Sequence, residues 1–294
     1  MKTVLCFGEV LWDAFGDVKK AGGAPMNVAW HLMQQGVPVY MASRVGADPS
    51  GEELTNFLKE SELYSTLIQV DEELPTCEVT VQLDENQHAT YTIPEPVAWD
   101  NIQPDDQLID QAQKVDAIVF GTLANRGETT RNTLFTLMDE SSGPLRIFDV
   151  NLRAPHYNED MIGTMAAKAD VIKMNEEEAD MLIGSSNGSL KDKIIEFQKK
   201  FHSKTICVTR GGKGALLWHD DEFYEHQGFK VEVADTVGAG DAFLATLIAG
   251  LLSEQPPQQI LEKACAIGAY VATHQGANPV YDPDKINQIK SAAA

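Results

Sequence analysis

The feature that most constrains the fold is an alternation, sustained over most of the chain, between short apolar β-rich runs and longer stretches with helical spacing. It opens as TVLCF, PMNVAWHLMQQ ending at Gly36, VPVYMASRV, and a helical stretch through EELTNFLKE after Asp48. It returns as DAIVFG, ETTRNTLFTLMDE, LRIFDV, MIGTMAAKA and DVIKM. Strands that are apolar at nearly every position are expected where helices cover both faces of a sheet, and helical crossovers make such strands parallel. The fold class predicted is therefore α/β, with a central, mostly parallel sheet flanked by helices. Two stretches break the rhythm. CEVTVQLDENQHATYTI alternates every second residue around a polar DENQ turn, which predicts an antiparallel hairpin with one wet face from about Cys77 to Ile93. Residues Ala14 to Lys20 either join that small sheet or form a loop. Later, VTRGGKGALLWHD reads as strand, glycine turn and strand, and Gly238 to Ser253 reads as a long buried helix.

Charge narrows the function. A formal net charge of −21 repels phosphate backbones and anionic lipid surfaces, so neither nucleic acid nor a membrane is an expected partner. Any phosphate must instead be held by local dipoles, Mg²⁺ and a few placed cations. The longest apolar run, Ala242 to Leu252, is well short of the ~20 residues that span a bilayer. Acids at Glu9 and Asp13 interrupt the apolar N-terminus, which reads as a first core strand rather than a leader. Cys6, Cys77, Cys207 and Cys265 lack metal-ligand spacing and fit reduced, buried thiols, so a cytoplasmic location is expected.

The sharpest chemical signal is DTVGAGDAFLATLIAGLL. Gly238, Ala239 and Gly240 carry almost no side chain, so backbone N–H groups at a helix start can approach an anion while the dipole favours negative charge. Asp241 in the first turn is placed to take a proton from a hydroxyl attacking a bound phosphoryl group, or to cap the helix after a glycine turn. Competing motifs fail: Lys213 is followed by Gly214, so there is no GxxxxGK[ST], and HExxH and GxSxG are absent.

DTVGAGDAF resembles the C-terminal signature of the PfkB, or ribokinase-like, carbohydrate kinases. GGAPMNVAWHL from Gly22, RVGADPSGEEL from Arg44, NEEE at Asn175 and VTRGGKG at Val208 match in the family's order and span nearly the whole chain. The resemblance implies one ribokinase-like kinase domain over residues 1–294, with a small β-sheet lid over roughly 77–98, which 14–20 either joins or leaves as a loop. It implies Asp241 as the base and Gly238, Ala239 and Gly240 as the anion hole. By the same resemblance Asp13, Gly23, Asn27 and Arg153 hold the sugar, residue types that suit a polyol. Asn175, Thr209, Gly211 and Gly214 match the nucleotide site, Glu178 the position that organises Mg²⁺ through water, and Asp235 a monovalent-cation site open to K⁺. Each has a plainer reading: a solvated acid at Asp13, a helix cap at Asn27, dipole compensation at Glu178, a salt bridge at Arg153. Arg210 and Lys213 are either phosphate-facing cations or solvated.

DVNLRAPHY resembles the D-x-N-x-R stretch of fructokinase-like members, and the opening GEVLWDAF and the GGAPMN spacing look most like bacterial fructokinases, implying transfer from ATP to the 6-hydroxyl of D-fructose. The stretch from Cys77 to Asp100 contains no Lys or Arg, which favours a neutral sugar, while many fructokinases carry an aromatic-Arg pair there. Ribose, 2-keto-3-deoxygluconate, a nucleoside and a phosphosugar remain alternatives, as does a non-catalytic sugar-binding paralogue. The lid edge offers a surface for a homodimer.

Overall fold

The computed structural model describes residues 1–15, 18–83, 89–183 and 188–292. Its first elements are β1 (Val4–Phe7), β2 (Leu11–Phe15), β3 (Val18–Gly22), α1 (Ala24–Gln34), β4 (Val39–Gly46), α2 (Pro49–Glu60), β5 (Tyr64–Asp71), β6 (Glu78–Leu83) and β7 (Ala89–Thr92). The middle holds α3 (Asp106–Ala112), β8 (Ala117–Gly121), α4 (Glu128–Glu140), β9 (Leu145–Asp149), α5 (Glu159–Lys168), β10 (Val171–Asn175), α6 (Glu176–Ile183) and α7 (Leu190–Phe201). Then follow β11 (Thr205–Thr209), β12 (Ala215–His219), β13 (Glu222–His226), α8 (Ala239–Leu252), α9 (Pro257–Ala272) and α10 (Pro283–Ser291).

Nine strands form one sheet in the order β13-β12-β11-β10-β9-β8-β1-β4-β5. All neighbours are parallel except β12 with β11 and β13 with β12, which meander antiparallel at one edge. The apolar runs follow from burial on both faces: Leu5 and Phe7 pack into one core, Val4 and Cys6 into the other. Helix α8 is buried continuously from Asp241 to Gly250 because it lies between α1 and α9, so it carries no polar stripe. All four cysteines are buried and unpaired by disulfides. Among the described residues no helix is long and apolar enough to cross a membrane.

A second sheet, in the order β3-β2-β6-β7, contains the expected hairpin as β6 and β7. The segment left open between loop and sheet joins it, starting earlier than expected, at Leu11, with β2 parallel to β6. The DENQ turn and residues 16 and 17 lie outside the described residues. Trp12 Nε1 donates to the Ser50 carbonyl at 3.0 Å, and Lys19 Nζ reaches Ser50 Oγ at 3.0 Å and Glu78 at 2.5 Å, which seats the small sheet on the start of α2. Beyond β7 the chain returns to the main core, where Val97, Ala98 and Trp99 are fully buried. Strand β5 is an addition that hydrophobic periodicity does not announce, because YSTLIQVD neither alternates cleanly nor runs apolar.

Candidate active site

Strand order reverses between β1 and β8: the chain runs outward from β1 through β4 to β5, and the other way from β8 through β11. In open parallel sheets the crevice at the carboxyl ends of the strands beside such a switch is where ligands bind. The strand ends here deliver Glu9 after β1, Asp149 and Arg153 at and after β9, Asn175 at the end of β10 and Thr209 at the end of β11. They face the N-terminus of α8.

That helix start is shaped by glycine. Gly238 has φ 78°, and a Cβ there would lie 2.5 Å from the Ala277 carbonyl oxygen, so both backbone conformation and space demand glycine. Ala242 N–H donates to Gly238 at 2.9 Å, and Ala239 N–H is directed to Thr236 at 3.3 Å. Of the three expected anion donors, Ala239 is therefore partly engaged, while the N–H groups of Gly240 and Asp241 open the helix without intrahelical acceptors. A Cβ on Gly240 would come 3.2 Å from Lys173 Nζ, which puts an ammonium directly behind this turn.

Asp241 is buried, with 9% of its surface exposed, and accepts a hydrogen bond from Asn27 Nδ2 at 2.8 Å. Burial pushes its carboxyl up to about 6, Asp149 adds to the rise, and Lys173, the Asn27 N–H and Arg153 oppose it. Buried Lys173 donates to Asp149 Oδ1 at 3.0 Å. Burial works against its ammonium, but Asp149, Asp241 and Glu178 outweigh that and hold it above the usual lysine value. Asp149 Oδ2 is buried with no partner.

Glu178 accepts from Leu152 N–H and Asn175 N–H at 2.8 Å each, and Asn175 Oδ1 accepts from Glu178 N–H at 2.8 Å. The NEEE motif is thus a reciprocal cap at the start of α6. Each Glu178 oxygen accepts one backbone N–H, which fixes the carboxylate in place. Asp235 is likewise employed in shaping a loop, accepting from Val237 N–H at 3.1 Å and Gly276 N–H at 3.0 Å.

Around the entrance, Asp13 sits half-buried on β2, its carboxyl raised by burial against the pull of Arg153 and Lys20. Gly23 has φ 111°, and a Cβ there would fall on the Glu9 carbonyl oxygen, so glycine lets α1 start against the end of β1. Arg153 is exposed and donates to the Leu152 carbonyl at 3.0 Å. It is the cation whose charge acts on Glu9, Asp13 and Asp241 together.

Beside α8 opens a cavity of about 630 Å³. Asn175, Thr209, Gly211, Gly214, Ala239 and Gly240 line it together with apolar Phe229, Phe243 and Cys265. Gly214 has φ 81°, and any Cβ would fall on the His226 carbonyl oxygen. Arg210 and Lys213 do not line this space: Arg210 is bound to Glu225 at 2.9 Å, and Lys213 is exposed.

Three polar residues at the site belong to none of the sequence motifs' assigned positions. Glu9 is 3% exposed, its Oε2 has no partner, and burial pushes its carboxyl up to about 7. The available signal is an acid directly after a wholly apolar first strand. Lys173 is signalled by a lone charge inside VIKM. Asn278 donates to Asn27 Oδ1 at 2.9 Å from a loop 251 residues away, and nothing in its neighbourhood announces it.

The sequence pattern of the pfkB family carbohydrate kinases matches residues 1–284. A fructokinase of Salmonella typhimurium is 29% identical over 276 residues, covering 87% of this chain and 87% of that protein. The structure of a fructokinase from Vibrio cholerae O395, bound to fructose, ADP and calcium ion, superposes with a TM-score of 0.85 at 25% identity over 98% of this chain and 99% of that one. An aminoimidazole riboside kinase from Salmonella enterica shares the fold, with a TM-score of 0.82 at 22% identity over 98% and 100% of the chains.

Proposed function

The chain belongs to the pfkB family of carbohydrate kinases, and from that premise we propose that it transfers the γ-phosphoryl group of ATP to D-fructose at the 6-hydroxyl, with Asp241 as the base. The observation that carries the mechanism is a buried carboxylate at the N-terminus of α8, held by Asn27 beside N–H groups that have no helical acceptor. A base whose carboxyl lies near 6 is ionised at neutral pH yet more basic than a solvated aspartate, which suits proton removal from an alcohol. The N–H groups of Gly240 and Asp241 face charge that develops on the transferring phosphoryl group, and Lys173 stands behind them. Asp13, Asn27 and Arg153 orient the sugar. The glycine-lined cavity takes the nucleotide between Thr209, Gly211 and Gly214 on one side and α8 on the other.

The family implies Mg²⁺, and the residues present fit it: Asp149 Oδ2 is a buried carboxylate oxygen with spare capacity, and Glu178 lies in the same charge cluster. These two would hold it through water, and the ion supplies neutralisation of the phosphate charge. Any activation by K⁺ would run through the loop that Asp235 fixes. The small sheet is read as a lid that excludes water, and its edge as a homodimer contact. A monomeric mass in sedimentation at micromolar protein would count against the dimer. The reading places the chain in the cytoplasm, where its thiols stay reduced.

Fructose is favoured by the fructokinase relatives and by the absence of Lys and Arg between Cys77 and Asp100. The test is ADP release from ATP with Mg²⁺ against fructose, ribose, 2-keto-3-deoxygluconate, adenosine and fructose phosphates. Fructose is expected to give the highest kcat/KM, and a higher value for any other acceptor overturns the assignment. Turnover of none supports a non-catalytic paralogue.

A further inference from the structure

We propose that Asn278 is a positioning residue for phosphoryl transfer, acting through Asn27 to keep that residue's amide N–H on the Asp241 carboxylate. The inference rests on the reading of Asp241 as the base. Asn27 presents a chemically two-ended group. Asp241 as a carboxylate only accepts, and Asn27 Nδ2 donates to it at 2.8 Å. Asn278 Nδ2 donates to Asn27 Oδ1 at 2.9 Å. With an acceptor at one end and a donor at the other, only one orientation of the Asn27 amide satisfies both. Rotation by half a turn would set oxygen against carboxylate and N–H against N–H. One Asn27 N–H is used on Asp241, and the other is left for a substrate hydroxyl.

The segment carrying Asn278 is itself held in place. Ala277 O can only accept, so the 2.9 Å contact puts the proton of His31 on Nε2, and His31 Nδ1 then accepts from Tyr281 Oη–H at 2.9 Å. His31 is fully buried, and burial pulls its imidazole down to about 4, so the ring stays neutral at neutral pH and Nδ1 remains an acceptor. Gln34 uses both ends of its amide on the same segment, donating to the Pro279 carbonyl at 3.0 Å and accepting from Tyr281 N–H at 2.8 Å. Ala277 also backs Gly238, so one short stretch supports both the anion-binding turn and the base's partner. Asn278 Oδ1 is buried with no partner. An amide that leaves its acceptor unsatisfied gains little over an apolar side chain of similar size unless its N–H is needed.

The experiment is a double-mutant cycle of Asn278→Leu and Asn27→Leu, assayed on whichever sugar the wild type turns over fastest. Asn278→Leu is expected to lower kcat about tenfold with KM for ATP unchanged, and to cost nothing further in the Asn27→Leu background. Side-chain amide exchange of Asn27, followed by ¹H–¹⁵N spectroscopy, needs no turnover and is expected to quicken about tenfold in Asn278→Leu. If Asn278→Leu folds poorly, Asn278→Ala, which removes the donor without adding a charge, carries the same expectations. Losses that multiply in the cycle, or unchanged Asn27 exchange, overturn the proposal. Failure of the kinase reading would instead show as absent turnover in the wild type with the exchange difference intact.

Discussion

The glycine-lined cavity beside α8 and the cluster of acids at the strand ends meet at Gly240 and Asp241, yet they are made of opposite materials. The cavity is shaped by what is missing: Gly214 and Gly238 have positive φ, and each would strike a neighbouring carbonyl oxygen if it carried a Cβ. The cluster is shaped by what is buried: Asp149, Glu178 and Asp241 act on one internal ammonium, Lys173, while Glu9 lies within reach of Asp241 and of Arg153 at the rim. On the proposed reading the first half binds by shape and backbone dipole and is expected to be insensitive to pH. The second works by desolvated charge and is expected to be sensitive to it. On the proposed reading, a protein of net charge −21 accepts an anionic nucleotide because backbone N–H groups, rather than a basic surface, meet the phosphates.

The largest effect on stability is expected at the centre of the charged half. Lys173→Met leaves Asp149 and Asp241 without their buried counter-charge and should cost on the order of 3–5 kcal/mol, read by denaturant unfolding. A loss below ~1 kcal/mol would mean the cluster is more hydrated than its burial implies. Next, Gly214→Ala should destabilise by about 1–3 kcal/mol and raise KM for ATP much more than it lowers kcat at sugar saturation. An unchanged KM would separate this turn from the nucleotide.

Glu9 sharpens the contrast through pH. Its carboxyl is raised from 4.5 to about 7, so between those values the folded chain holds a proton that the unfolded chain has released. Stability from this group is complete below about pH 4.5 and is lost as pH rises through 7. Glu9→Gln should match wild type near pH 4.5 and exceed it by roughly 1–3 kcal/mol at pH 8, as read by thermal unfolding at both values. Equal stability at pH 8 would show that Glu9 is not desolvated. The smallest effect belongs to Arg210→Ala: because Arg210 is bound to Glu225 outside the cavity, KM for ATP should move by less than about threefold.

The same contrast explains what is legible in the sequence. A glycine turn that opens a helix is contiguous in sequence, so Gly238 to Asp241 reads directly as a motif. The apolar strands read equally well because burial on both faces leaves no polar position in them. The charged half is assembled across long separations: Asn278 meets Asn27, and Lys173 meets Asp149, only after the sheet and α8 have formed. Local pattern carries no record of such pairings, although a lone lysine in VIKM is a usable trace. The segment from Ala14 to Lys20 is ambiguous for another reason, since the pairing of β2 with β6 depends on residues more than sixty positions away.

The most direct test of the account is kcat against pH at saturating ATP and sugar, for wild type and Asp241→Asn together. Asp241 is faced by Asn27, Asp149, Lys173 and Arg153, with Glu9 nearby, and burial outweighs the groups that favour its ionised form. The account predicts a wild-type rate that falls as pH drops below about 6, and an Asn variant slower by ~10²–10⁴ with no such limb. A variant within tenfold of wild type, showing the same acidic limb, would contradict the assignment of Asp241 as the base.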